Sequence, residues 1–157
     1  MREQQDKPTA LHHVLYEIDM LAHALKVLRC PNVAKDWRLH SGWIEVFAIH
    51  TRNLNDFFSR GISKKQYMKP SDFVPWTCSH VVDSKITTRL NNQIAHLTYA
   101  REHPDQKTPW PTDQVFNPLR EQSLTFLKAV LSVKQLLAGE GNKAWAEALI
   151  VSLKLMK

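Results

Sequence analysis

The stretch "LHHVLYEIDMLAHALKVL" at residues 11–28 repeats apolar side chains at intervals of three and four residues. These intervals place the side chains on one face of an α-helix. The face comprises Leu11, Val14, Leu15, Ile18, Leu21, Ala22, Leu25 and Leu28. The pattern predicts a helix from about Thr9 to Arg29. Pro8 and Thr9 give its start signal, and the "CPN" at residues 30–32 gives its stop signal.

The same helical periodicity recurs along the rest of the chain. It predicts long helices over about 36–60, 83–101 and 113–137, with Asp83 or Ser84 as the N-cap of the second of these. A shorter helix is predicted after Asn142, which is its expected N-cap. Residues 61–82 contain two prolines and irregular apolar positions, so we expect an ordered loop there with at most a short helical turn.

The composition agrees with a helical protein. Only four glycines occur in 157 residues, which leaves few of the tight turns that a many-stranded fold requires. This length is enough for one hydrophobic core and too short for two ordinary domains. We therefore expect an all-α fold in which residues 1–157 form a single-domain helical bundle of four principal helices plus a C-terminal helix.

Charge and targeting signals limit the expected partners. The first eight residues are polar and no apolar run reaches the roughly 18 residues of a membrane span, so we expect a cytoplasmic protein that does not bind membranes. Cys78 and His80 lack a second ligand pair, so neither a metal nor a cofactor is expected. A formal net charge of +6 attracts phosphate-rich partners such as nucleic acid, but the lysines and arginines are scattered, so a solvated basic surface is the favoured interpretation of the charge alone.

The third predicted helix carries a cluster of polar side chains in the segment "TRLNNQIAHLTYAR" at residues 88–101. At roughly 100° per residue, Arg89, Asn92 and His96 point in similar directions, beside the apolar stripe of this helix. A histidine there can carry a proton near neutral pH, and an arginine offers a planar fork suited to phosphate oxygens. Asparagine can orient a ligand without titrating. The combination favours phosphodiester chemistry, whereas no G-x-S-x-G motif for acyl transfer is present.

The segment "RLNNQIAH" resembles the R-x(4-6)-H motif of the HEPN superfamily. Members are small all-helical domains, and many are metal-independent ribonucleases of toxin-antitoxin and other defence systems. The resemblance implies that His96 acts as general base or acid, that Arg89 stabilises the charged phosphorane and that Asn92 positions the scissile phosphate. It also implies RNA as substrate, a homodimer that pairs two motifs, and an antitoxin protein as partner.

Other interpretations fit the same residues. The competing hypothesis is a non-catalytic helical interaction or nucleic-acid-binding module, in which the same residues fix helix packing or a dimer interface. His50 falls within the apolar stripe of the second helix, where it is either a hydrogen-bonded core residue or a neighbour that tunes His96. Trp76 and Trp110 either stack on bases or cover the edge of the core, and we favour the second interpretation.

Overall fold

The computed structural model describes residues 6–59, 67–77, 81–90, 110–138 and 141–156. Its α-helices are α1 (Lys7–Leu28), α2 (Pro31–Lys35), α3 (Trp37–Ser59), α4 (Ser84–Leu90), α5 (Thr112–Leu131) and α6 (Asn142–Leu155). Two 3-10 turns, Pro70–Asp72 and Lys134–Leu137, lie between them. These ranges contain no strand, and the predicted all-α fold is confirmed.

The apolar face of α1 forms the centre of the bundle. All eight residues predicted for this face are buried, and Ala24 is buried with them. α1 packs along α3, while α6 lies against both α1 and α5, and α5 contacts α3. Leu149 and Leu153 of α6 are buried in the same core. Each of these helices contributes its apolar face to one shared core.

An aromatic cluster closes one side of this core. Phe126 of α5 is fully buried, and its ring centroid lies 5.3 Å from Phe57 and 6.0 Å from Phe58. Phe73 and Trp76, from the segment 67–77, lie 6.0 Å from the same ring. Trp76 thus covers the core edge, as predicted, and the segment is fastened to the bundle by its aromatic rings.

Two predicted helix ends are wrong. α5 ends at Leu131 rather than Leu137, because Val133 adopts an extended conformation with φ −106° and ψ 91°, and a 3-10 turn follows over Lys134–Leu137. Asn142 does not cap α6, since Gly141 occupies that position with a φ of 84°. The buried Asn142 amide instead donates to the Pro8 carbonyl over 2.9 Å and joins α6 to the start of α1.

The short helix α2 was not predicted. Pro31 lies in its first turn, where a proline is tolerated, and Asp36 ends it. The Asp36 carboxylate then accepts hydrogen bonds from the backbone N–H groups of Arg38 and Leu39, so it begins α3 directly.

Of the helices in the described ranges, none has both the length and the apolar character to cross a bilayer.

Candidate functional site

The start of α4 is fixed by a side-chain cap. The Asp83 carboxylate accepts the backbone N–H of Lys85 over 2.7 Å, and the Asp83 carbonyl accepts the backbone N–H of Thr87 over 2.9 Å. This confirms the predicted cap, with Asp83 rather than Ser84 in that role. The cap sets the register of the helix that carries Arg89.

Two polar residues of α3 hold the chain that enters α4. The buried Asn55 side-chain oxygen accepts the backbone N–H of Val82 over 3.2 Å and the Ser59 hydroxyl over 3.0 Å. The Ser59 oxygen in turn accepts the backbone N–H of Val81 over 3.2 Å. Because buried backbone groups are costly to leave unpaired, these bonds fix the position of α4 relative to α3.

Arg89 lies in the last described turn of α4, half-buried beside the fully packed Leu90. This is the position beside the apolar stripe that the sequence predicted. Its guanidinium carbon lies 4.3 Å from the centroid of the Trp110 ring, which is a cation–π contact. Trp110 itself packs partly against the core, in agreement with the favoured interpretation. The contact places the guanidinium carbon over the face of the indole ring.

Asn92 and His96 lie outside the described residues, as do 91–109 as a whole. Their alignment with Arg89 and their predicted roles therefore stay predictions. Cys78 and His80 also lie outside the described ranges. Within those ranges, no group of three histidine, cysteine or acidic side chains is placed to hold a metal ion.

His50 is a buried, hydrogen-bonded residue, as one of the two interpretations predicted. It is 7% exposed, and its Nδ1 lies 2.7 Å from Oε2 of Glu17 on α1. A carboxylate only accepts hydrogen bonds, so Nδ1 donates. Asn53 Nδ2 donates to the same oxygen over 3.0 Å. The described partner of His50 is therefore on α1, and sequence reasoning missed it.

A cavity of about 280 Å³ opens beside this carboxylate, between α1, α3 and residues 67–69. Glu17, Asn53 and Asp56 contribute polar groups to it, and Leu54 and Met68 contribute apolar walls. No sequence motif marks this site. The one available signal was that a histidine within an apolar stripe requires a polar partner on a neighbouring helix.

The two polar regions are built from different elements. Arg89 belongs to α4 and contacts Trp110, whereas Glu17 and His50 join α1 to α3. The first carries a guanidinium group, and the second carries a carboxylate. In comparisons with known proteins, no family model matches the chain, and neither the curated proteins nor the solved structures give a match.

Proposed function

We propose that this protein is a HEPN-like, metal-independent endoribonuclease of toxin or defence type that acts through Arg89, Asn92 and His96. The observation that supports it best is the half-buried Arg89 guanidinium stacked on Trp110 at 4.3 Å. Anions bind in the plane of a guanidinium, so stacking on its face is compatible with phosphate binding. A stacked arginine also needs little reorganisation when charge develops on the phosphate.

The proposed reaction is internal attack by an RNA 2'-hydroxyl on the adjacent phosphorus. The bond from the 2'-oxygen to phosphorus forms, and the bond to the 5'-oxygen of the next nucleotide breaks. His96 of one protomer accepts the 2'-hydroxyl proton, and its twin in a homodimer gives a proton to the leaving 5'-oxygen. Arg89 stabilises the extra negative charge of the phosphorane, and Asn92 orients the scissile phosphate.

The remaining parts of the proposal concern partners and place. RNA is the proposed substrate, and the net charge of +6 supplies non-specific attraction to its phosphates. The protein acts as a homodimer in the cytoplasm, with an antitoxin protein as its inhibitor.

One contact also favours the alternative, a non-catalytic helical interaction or nucleic-acid-binding module. The Arg89–Trp110 stack joins α4 to the chain that enters α5, so it contributes to helix packing whatever else it does. A cation–π contact of this kind stabilises a fold by about 0.5–1 kcal/mol. Activity and stability must therefore be measured on the same variants.

Arg89→Ala is expected to lower RNA cleavage, measured in a chelator without added metal, by about 100- to 1,000-fold, as loss of one transition-state donor does. Arg38→Ala is the matched control, because Arg38 also stacks on a tryptophan, with its guanidinium carbon 4.9 Å from the Trp37 ring on the exposed surface. The control should cleave like the wild type. Equal cleavage by both variants, or none by the wild type, would remove the catalytic role of Arg89.

A further inference from the structure

We propose that the cavity between α1, α3 and residues 67–69 binds a small organic cation, an ammonium or guanidinium group on an apolar stem. The site is independent of the ribonuclease proposal, because Arg89 does not line it. Its central group is the Glu17 carboxylate, whose side chain is 25% exposed and faces a cavity of about 280 Å³.

Glu17 is held in one orientation by α3. His50, buried behind it, and Asn53, beside it, both donate to Oε2, at 2.7 Å and 3.0 Å. Among the described residues, Oε2 accepts every hydrogen bond to Glu17, and Oε1 accepts none. Two donors on one carboxylate oxygen leave the other to a ligand. A positioned carboxylate of this kind binds an ammonium or guanidinium without having to reorient first.

The carboxylate at the centre of the cavity favours a cation. Among the described lining residues, Lys69 and His13 carry basic groups, and the donors to Glu17 are His50 and Asn53. An anion would approach the Glu17 carboxylate in a partly desolvated site, where like charges repel strongly. A neutral apolar ligand would displace water from Glu17 without replacing its hydrogen bonds, which is costly. The described residues hold no three-ligand group for a metal, so an organic cation fits best.

The walls and the volume of the cavity define the rest of the ligand. Leu54, Phe57 and Met68 present apolar side chains to the space beside Glu17. Ligand pockets range from roughly 300 to 1,000 Å³, so a cavity of about 280 Å³ lies just below their lower limit. A short alkyl stem with a single charged head suits these dimensions. Both a free amine and the side chain of a lysine or arginine carry this chemistry.

The test is a titration of the protein with n-butylammonium and n-butylguanidinium, monitored by NMR shifts of the Leu54 and Met68 methyl groups. Butanol and butyrate carry the same stem without the positive charge. We expect both cations to shift these signals. The dissociation constants of butanol and butyrate should be at least about ten-fold higher than those of the cations.

Variants then locate the charge. Glu17→Gln keeps an acceptor for His50 but removes the charge, and it should weaken cation binding at least about ten-fold. Glu45→Gln makes the same exchange at an exposed site on α3 and should bind like the wild type. Met68→Trp places a larger side chain on the cavity wall, leaves Glu17 and His50 unchanged in sequence, and should abolish binding. If Glu17→Gln fails to fold, the Met68→Trp variant alone decides whether the cation binds in this cavity.

Two results would overturn the proposal: binding of butanol or butyrate as tight as that of the cations, or cation binding unchanged in the Glu17→Gln and Met68→Trp variants. A comparison of spermidine with Nα-acetyl-lysine methylamide identifies the source, since tighter spermidine binding indicates a free amine and the reverse indicates a protein side chain. Both variants should retain any RNA cleavage of the wild type, so the two proposals fail separately.

Discussion

Phe126→Ala is expected to lower the free energy of unfolding by about 3–5 kcal/mol, the range measured when a large buried ring is truncated. The Phe126 side chain is fully buried, and its ring lies within 5.3 to 6.0 Å of Phe57, Phe58, Phe73 and Trp76. These rings come from α3 and the segment 67–77, so truncation opens a cavity where three parts of the chain meet. Aromatic pairing adds to the loss from burial.

Urea unfolding monitored by circular dichroism measures this effect. Tyr67→Ala is the control, because that aromatic side chain is 54% exposed in the same segment, and its change should stay within about 0.5 kcal/mol. Phe126→Leu should lie between the two, since leucine fills part of the space. A Phe126→Ala loss no larger than that of Tyr67→Ala would show that the aromatic cluster does not form the described core.

His96→Ala is expected to lower metal-free RNA cleavage by about 100- to 10,000-fold, the usual contribution of a general acid or base. The physical reason is that both proton transfers of the proposed reaction pass through the imidazoles of a homodimer. Thermal stability should stay close to that of the wild type, because a catalytic side chain is commonly neutral or costly to the fold.

The control and the contradicting outcome use the same two measurements. His40→Ala changes a half-buried histidine on α3 and should leave cleavage unchanged. If His96→Ala instead lowers the melting temperature strongly while neither protein cleaves RNA, the non-catalytic interaction module is the better description. The two measurements separate the hypotheses. The ribonuclease hypothesis predicts that His96→Ala loses cleavage, whereas the interaction-module hypothesis predicts that it loses thermal stability.

The long helices could be predicted because their apolar residues follow one period over many turns. The face of α1 spans 11–28 without a break, and every residue predicted for it is buried. α2 contains only five residues, which is too short for a periodic pattern to be distinguished from chance. The end of α5 depends on the extended conformation of Val133 and the 3-10 turn that follows it, which the apolar pattern does not encode.

The polar sites were predicted unevenly for a similar reason. The half-buried position of Arg89 follows from its neighbour Leu90 on the same helix, so local periodicity was sufficient. Its contact with Trp110 depends on how separate segments pack, and sequence spacing gives no distance across such a gap. Glu17 and His50 are 33 residues apart, and only the packing of α1 on α3 brings them together.

The proposed ribonuclease activity is tested by cleavage of one RNA sequence in a metal chelator, compared with the same sequence carrying 2'-deoxy nucleotides throughout. Internal attack requires the 2'-hydroxyl, so we expect only the RNA to be cut, leaving 2',3'-cyclic phosphate and 5'-hydroxyl ends. Cleavage of the deoxy strand, different ends, or an uncut RNA would refute internal attack by this protein.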